Sequence, residues 1–408
     1  MKVFLAHNYY QQPGGEDRSF AAEAALLEEK GHTVIRHTVH NDEIKDMPRW
    51  KVARSTVWNP EAYRTVASLL RREQPDVAHF NNTFPLLSPS VYYAARAAGV
   101  PTVQTLRNFR LFCLNGYFYR DGSVCMDCLG STGPLPGVAH ACYRSSHLES
   151  LGVAALQTTH RLAGTWTTMV DRYIALTPSA RTLFVDAGLP ADRIDLKPNF
   201  LRNPMPPGSG DGGYALFVGR LSPEKGVELM LEAWTELGDR LPLRVVGDGP
   251  LADRVRRAAA PGRIEAVGRV SPERVQALMG EATMLIFPSL WYETFGRVGM
   301  EALAAGTPVV ASDHGAMADL IEHGRTGRLF QPGSATDLVE QVQWLLDHPQ
   351  ARADMRSAAR EEFEAHYTGE RNYQLLMAIY RRAQAGSTVG DANDRTGADV
   401  ATAGEEQR

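Results

Sequence analysis

Apolar and polar positions along the chain fall into two alternating patterns. Short apolar runs ending at glycine or proline read as buried strands, and stretches with apolar residues three and four apart read as helices. Residues 2–6 (KVFLA) form the first such run. A loop carrying Gly14 and Gly15 follows, then a helical stretch over 19–30 with Phe20, Ala24 and Leu27 on one face. Gly31 and His32 close it, and 33–35 begin the next strand. The pattern continues with a helix over 62–73, a strand over 77–80, a helix over 91–98 and a strand over 102–105. Residues 41–59 hold no clear pattern. A long segment, 108–147, interrupts the alternation before a helix over 150–170, a strand over 173–176 and a helix over 179–187. Alternation of this kind predicts a doubly wound parallel sheet.

The run LRNPMPPGSGDGG, residues 201–213, is rich in proline and glycine and reads as a linker. A second α/β unit starts at 214–218, with further strands at 243–246, 264–267, 284–287 and 309–311. Helices follow over 335–346, 350–366 and 371–383. The predicted organisation is an N-terminal domain over 1–200, the linker, a C-terminal domain over 214–366, a closing helix over 367–385 and a disordered polar tail over 386–408.

With 408 residues, two cores are expected rather than one. The net charge of −4 does not suit general nucleic-acid binding. No run approaches the ~18 apolar residues of a membrane span, and the N-terminus is too soon polar for a signal peptide. A cytoplasmic location, with membrane contact at most peripheral, is the expectation.

Residues 287–312 concentrate the chemistry. A strand ends at Pro288-Ser289, a loop carries Glu293, and a helix from about Gly296 carries Glu301. The start of a helix offers free N–H groups and a positive dipole end to an anion. Carboxylates do not bind phosphate but suit hydroxyls, so the stretch suggests a nucleotide-sugar site at the strand ends of an open sheet. VGRLSPEKG, 218–226, places Arg220 and Lys225 on a loop after another strand, where a guanidinium fork and an ammonium suit a diphosphate. A solvated loop is the plain alternative.

VGRLSPEKG, VGDGP, FPSLWYETFGRVGMEALAAGTPVVAS and HGRTGRLFQPG, in this order, resemble glycosyltransferase family 4. The resemblance covers the chain to about residue 383. It implies a GT-B fold of two Rossmann-like domains facing a cleft, an enzyme that transfers a sugar with retention, and no catalytic cofactor. The implied partners are a UDP- or GDP-sugar and a carbohydrate, lipid-linked or small-molecule acceptor. By the same resemblance, Glu301 holds the ribose and Glu293 faces the donor sugar. The backbone at Phe295 and Gly296 contacts sugar and phosphate, Arg220 and Lys225 neutralise the diphosphate, and the Gly14-Gly15 turn approaches the phosphates. Arg107 departs from the pattern: it stands where the family has an active-site histidine, and arginine cannot serve as an acid or base. That substitution motivates the alternative of a non-catalytic nucleotide-sugar-binding subunit. An epimerase on the same fold is a third reading.

All four cysteines lie in the interrupting segment, as Cys113, Cys125, Cys128 and Cys142. The C-x2-C pair fits one metal knuckle, and the outer two complete a tetrahedron of thiolates. A subset of family 4 resembles this pattern, which favours a structural Zn²⁺; four reduced thiols are the alternative. The aromatic residues Tyr9, Tyr10, Phe84, Tyr117, Phe118 and Tyr119 suit either stacking on an acceptor sugar or loop packing, with packing favoured. The 150–170 helix is expected to turn its apolar residues to a core rather than to a membrane.

Overall fold

The structure, a computed structural model, describes residues 1–12, 14–129 and 133–400, with 387–400 as backbone. The strands are β1 (Lys2–Tyr9), β2 (Thr33–His40), β3 (Val77–Asn82), β4 (Thr102–Thr105), β5 (Tyr119–Arg120), β6 (Ser123–Val124), β7 (Arg172–Ala175) and β8 (Ile194–Leu196) in the first half. The second half holds β9 (Ala215–Val218), β10 (Leu243–Val246), β11 (Ile264–Gly268), β12 (Met284–Phe287), β13 (Val309–Ser312) and β14 (Gly327–Phe330). The N-terminal helices are α1 (Gly15–Glu29), α2 (Arg49–Val57), α3 (Pro60–Glu73), α4 (Ser90–Ala97), α5 (Leu135–Ala139), α6 (His147–Leu162), α7 (Thr165–Thr168) and α8 (Pro178–Asp186). Then come α9 (Val227–Leu237), α10 (Ala252–Ala258), α11 (Pro272–Glu281), α12 (Arg297–Ala304), α13 (Gly315–Leu320), α14 (Ala335–Asp347), α15 (Pro349–His366) and α16 (Gly369–Val400).

Two parallel six-stranded sheets result, ordered β2-β1-β3-β4-β7-β8 and β11-β10-β9-β12-β13-β14. Inner strands such as β12 and β13 are buried on both faces and read as unbroken apolar runs, whereas the edge strands β2 and β11 are partly exposed. The order reverses between β1 and β3 in one sheet and between β9 and β12 in the other. In an open α/β sheet, the crevice at the strand ends beside such a reversal is where ligands bind. β1 leads into Gly14-Gly15, β9 into Arg220 and Lys225, and β12 into Glu293. The topology therefore gathers these residues before any side-chain contact is considered.

The closing helix returns to the first domain. Leu376, Met377, Tyr380 and Ala383 of α16 are buried with Val3, Leu5, Phe20, Val77 and Val103. Each large side chain covered in this way contributes roughly 1.5–3 kcal/mol. α16 runs on through Gly386, where the tail was expected to begin. One glycine weakens a helix by about 1 kcal/mol without ending it. Residues 401–408 of the expected disordered tail lie outside the described residues.

Three local expectations change. Residues 41–59 form a 3-10 turn, Asn41–Asp46, and then α2. α2 turns only part of its surface inward, so its apolar period is weak. The helix expected over 150–170 breaks at Gly164, whose φ of +64 starts α7. α1 begins at Gly15, earlier than residue 19, because the Asp17 carboxylate accepts from the Gly14 N–H at 2.8 Å and caps it. Among the described residues, no helix is long and apolar enough to cross a membrane.

Candidate active site

Gly226 sets the site's geometry. Its φ is +70, and a Cβ there would lie 1.8 Å from the Pro288 carbonyl oxygen. Only glycine lets the loop after β9 lie on the exit of β12. That approach carries Lys225 to Glu293, and the two form an ion pair through Glu293 Oε1. The same oxygen accepts from Ser289 Oγ at 2.9 Å and from Trp291 Nε1 at 3.0 Å. Glu293 is 9 % exposed, so three donors compensate a carboxylate taken almost wholly out of water. Lys225 Nζ also stands 5.1 Å from the centre of the Trp291 indole, within cation–π range. Arg220, on the same loop, is exposed.

α12 starts at Gly296 in the left-handed region, φ +76, and no side chain caps it. Its first N–H groups therefore lack intrahelical acceptors and face the crevice beside Phe295 and Gly296. Glu301, one turn further on, pairs with Arg297 Nε at 2.9 Å. Arg297 reaches across to the first domain, donating to Ser19 Oγ at 3.2 Å. A Cβ on Gly15 would lie 3.7 Å from Arg297 Cδ, so the Gly14-Gly15 turn abuts the start of α12. Thr294 Oγ1 donates to the Arg107 carbonyl at 2.9 Å. The two halves of the site are thus in contact.

Arg107 is buried, at 7 % exposure. Its Nε and one terminal nitrogen donate to Asn81 Oδ1 at 3.0 and 2.8 Å, and the other donates to Asn199 Oδ1 at 2.9 Å. Burial lowers its pKa from the usual value, opposed by the Glu23 and Glu16 carboxylates. Both partners are neutral amides, so the guanidinium keeps its full charge at the cleft floor.

Trp291, Arg297 and Asn199 are the site residues that sequence reasoning missed. Trp291 had a local signal, being two residues from Glu293. Asn199 had none, because its contact with Arg107 spans 92 residues. Trp291→Phe keeps the ring and removes the N–H donor. The expected outcome is a tenfold to hundredfold lower kcat, the worth of a hydrogen bond to a charged group (about 1.5–3 kcal/mol), with donor KM within about twofold. Steady-state kinetics checks it, and an unchanged kcat would remove Trp291 from the machinery.

In the interrupting segment, β5 and β6 form a small hairpin that leans toward the second domain. Tyr117 meets Trp291 edge to face, with ring centres 4.8 Å apart. Of the other aromatics, Phe118 is core, Tyr10 is half-buried with its phenol pushed up by burial and by Glu16, and Phe84 stacks under Arg110. None of the four cysteines is in a disulfide. They are neighbours: burial pushes the Cys128 thiol up to about 11, and nearby Cys113, Cys142 and Cys125 add to it. Among the described residues, no group of three or more histidine, cysteine or carboxylate side chains stands in metal-holding geometry.

Two Rossmann-like domains with their switch points facing each other define the GT-B class. Residues 14–199 match the family description "Glycosyl transferase 4-like domain", and 206–362 match "Glycosyl transferases group 1". The chain belongs to the group 1, family 4-like glycosyltransferases. It is 31% identical over 218 residues to alpha-D-kanosaminyltransferase of Streptomyces kanamyceticus, covering 52% of this chain and 54% of that protein. The chain spans about half the length of the curated relatives it matches. The crystal structure of Anabaena HepE in complex with UDP and glucose has the same fold, with a TM-score of 0.65 at 19% identity over 92% of this chain and 98% of that one. Sucrose-phosphate synthase from Thermosynechococcus elongatus superposes with a TM-score of 0.70 at 17% identity, over 94% and 100%.

Proposed function

We propose that the protein transfers a sugar from a nucleoside-diphosphate sugar to an acceptor hydroxyl, with retention at the anomeric carbon. The observation that carries this reading is the convergence of Lys225 and Glu293 beside the uncapped start of α12, opposite the Gly14-Gly15 turn. As the bond from the sugar to the diphosphate breaks, negative charge grows on the departing oxygen. Lys225, the exposed Arg220 and the N–H groups near Phe295 and Gly296 stabilise that charge, usually the largest catalytic contribution. Glu293 Oε2 takes no hydrogen bond from the described residues and is left to accept a sugar hydroxyl. Glu301 accepts ribose hydroxyls on the oxygen that Arg297 does not use. The complex of HepE with UDP and glucose, and the name of the kanosaminyltransferase relative, support a nucleotide-sugar donor. Within a closed cleft, donor and acceptor react as if intramolecular.

The test is a panel of UDP- and GDP-sugars read by mass spectrometry, with cell extract supplying acceptors. Transfer from one donor supports the reading. Binding without hydrolysis or transfer, unchanged in Arg107→His, supports a nucleotide-sugar-binding subunit instead, a reading favoured by Arg107 being held by two amides with no proton to exchange. Conversion of the sugar without acceptor would mark an epimerase.

The four thiols lie near one another without standing in a ready-made tetrahedron, so the reading that Cys113, Cys125, Cys128 and Cys142 close on a structural Zn²⁺ rests on their C-x2-C spacing and on their being reduced. Binding would take up the thiolates and staple the β5–β6 hairpin and the loop before it, which carries Tyr117. Elemental analysis is expected to find about one zinc per chain, and a strong chelator to lower Tm by more than about 5 °C. A metal-free preparation of full stability sinks the assignment.

A further inference from the structure

We infer that the outer faces of α2, α5 and α6 rest on an anionic membrane surface, and that the acceptor enters the cleft from it. The second part rests on the sugar-transfer reading; the first does not.

The chain's exposed apolar side chains are not scattered. Among the described residues eight large ones stand out in water, and six of them lie on or directly beside these three helices. Trp50 is 67 % exposed, Leu135 71 %, Leu148 69 % and Leu151 54 %. The helices adjoin: a Cβ on Gly152 of α6 would lie 3.8 Å from Ala53 Cβ of α2, and His147 of α6 meets the Val138 carbonyl of α5 at 2.9 Å. Leu148, Leu151 and Ala155 form one exposed stripe on α6, beside Trp50 and Ala53 on α2. Single exposed leucines need no explanation, but a joined group marks an interaction surface.

Charge identifies the partner. α2 (RWKVARSTV) carries Arg49, Lys51 and Arg54, all exposed, and no carboxylate. Arg144, just before α6, pairs with Glu149 at 3.7 Å, and the exposed Arg161 adds a cation in the helix's last turn. The turn before α2 is acidic: Lys45 pairs with Asp42 at 2.5 Å, and Glu43 and Asp46 are exposed beside it, so the positive surplus of this face is carried by α2 itself. The whole chain is net −4, so this face runs against the protein's overall sign. Cations around an exposed tryptophan and leucines suit an interface of acyl chains and anionic head groups. A soluble partner's apolar patch would explain the leucines but not the cations.

The same helices turn their inner faces to the reaction. Thr56 of α2 and Leu156 and Gln157 of α6 line a cavity of about 50 Å³ with Asn81, Gln104 and Arg107. Asn81 is 2 % exposed and its Nδ2 has no partner there, leaving both of its N–H donors unused. At about 50 Å³ the cavity holds water rather than a sugar ring; what it shows is that helices whose backs face the bilayer also wall the Arg107 cluster, the side from which an amphiphilic acceptor's head group would approach while its tail stays in the membrane.

The test uses the full chain in flotation with vesicles of phosphatidylcholine alone or with one third phosphatidylglycerol. The protein is expected to float with the anionic vesicles at low salt, and at least about tenfold less with neutral vesicles or at high salt. Trp50→Ser with Leu151→Ser, and separately Arg49→Glu with Lys51→Glu, are each expected to lower that association at least tenfold, with UDP or GDP binding and Tm unchanged. No association of the wild type with anionic vesicles overturns the proposal. So does association that neither variant moves, or a dimer that both variants break, which would assign the face to a second copy. Nucleotide binding measured on the same samples reports separately on the sugar-transfer reading: vesicle binding without it leaves the membrane face standing and removes the acceptor route.

Discussion

Lys225→Ala is expected to lower kcat for sugar transfer by two to three orders of magnitude, the cost of removing one preorganised donor from a developing negative charge. Lys225 is placed by three restraints. Gly226 admits its loop to Pro288, Glu293 holds its charge, and the Trp291 ring lies beneath it. Its side chain is 23 % exposed and is one of three donors on the buried Glu293, so the variant should also lose about 1–3 kcal/mol of stability, and kcat is compared at a temperature where both proteins are folded. Lys225→Arg should recover only part of the loss, because a planar guanidinium does not fit the place of a point charge between carboxylate and indole. Single-turnover kinetics with a saturating donor measures the effect. A loss below about tenfold would mean that Arg220 and the start of α12 stabilise the leaving group by themselves.

Lys197→Met is expected to destabilise the fold by about 3–5 kcal/mol, because it strands a buried carboxylate. Glu23 and Lys197 are 1 % and 2 % exposed, with Nζ 2.7 Å from Oε2. Lys197 also meets Asn372 of α16 at 3.3 Å, and His79 bridges Tyr380 of α16 at 2.8 Å and Thr105 at 2.7 Å. The pair therefore sits where the closing helix joins the first domain. Removing both partners, as Glu23→Leu with Lys197→Met, should recover much of the loss. The urea midpoint checks both, and a single variant within about 1 kcal/mol of wild type would show that the charge is not confined.

The same cluster fixes an acid response. Burial raises the Glu23 carboxyl, but Lys197, then His79 and Arg107, outweigh it and hold it at about 2, against an ordinary 4.5. Its stabilisation is complete above about pH 4.5 and is lost as pH falls from there through 2. His79 is pushed down to about 4 from 6.5 by burial, partly offset by Glu23, with Lys197 and Arg107 also lowering it. The unfolded chain therefore takes up a proton below pH 6.5 that the folded chain refuses until about pH 4. Stability should fall by about 2 kcal/mol between pH 6.5 and 5 from this group. His79→Gln should flatten that slope.

Much of the donor half could be read along the chain because its signals are local. A strand, a proline, a carboxylate, a glycine and a helix start follow one another within residues 284–304, and short-range rules place them. The first domain was less legible. α2 was invisible in 41–59 because its outward face carries Trp50 and Ala53, which blur the contrast that periodicity depends on. The 150–170 pattern showed an apolar helix but not that Leu148, Leu151 and Leu162, beside and within it, would stand largely exposed. An amphipathic period reports that a helix has two faces, not what covers each.

By itself the sequence determined the two α/β units, the linker between them, the glycines at the turns and the carboxylates at the helix start. Those follow from backbone conformation and from periods of two and 3.6 residues, which act over a few positions. Only the tertiary structure decided that Lys225 meets Glu293, that Arg107 is clasped by Asn81 and Asn199, that Arg297 crosses to Ser19, and that α16 seals the buried Glu23–Lys197 pair. Each of those contacts joins residues tens to hundreds of positions apart, and they form because the stacking of helices on two sheets brings strand ends together. Local periodicity carries no record of that packing.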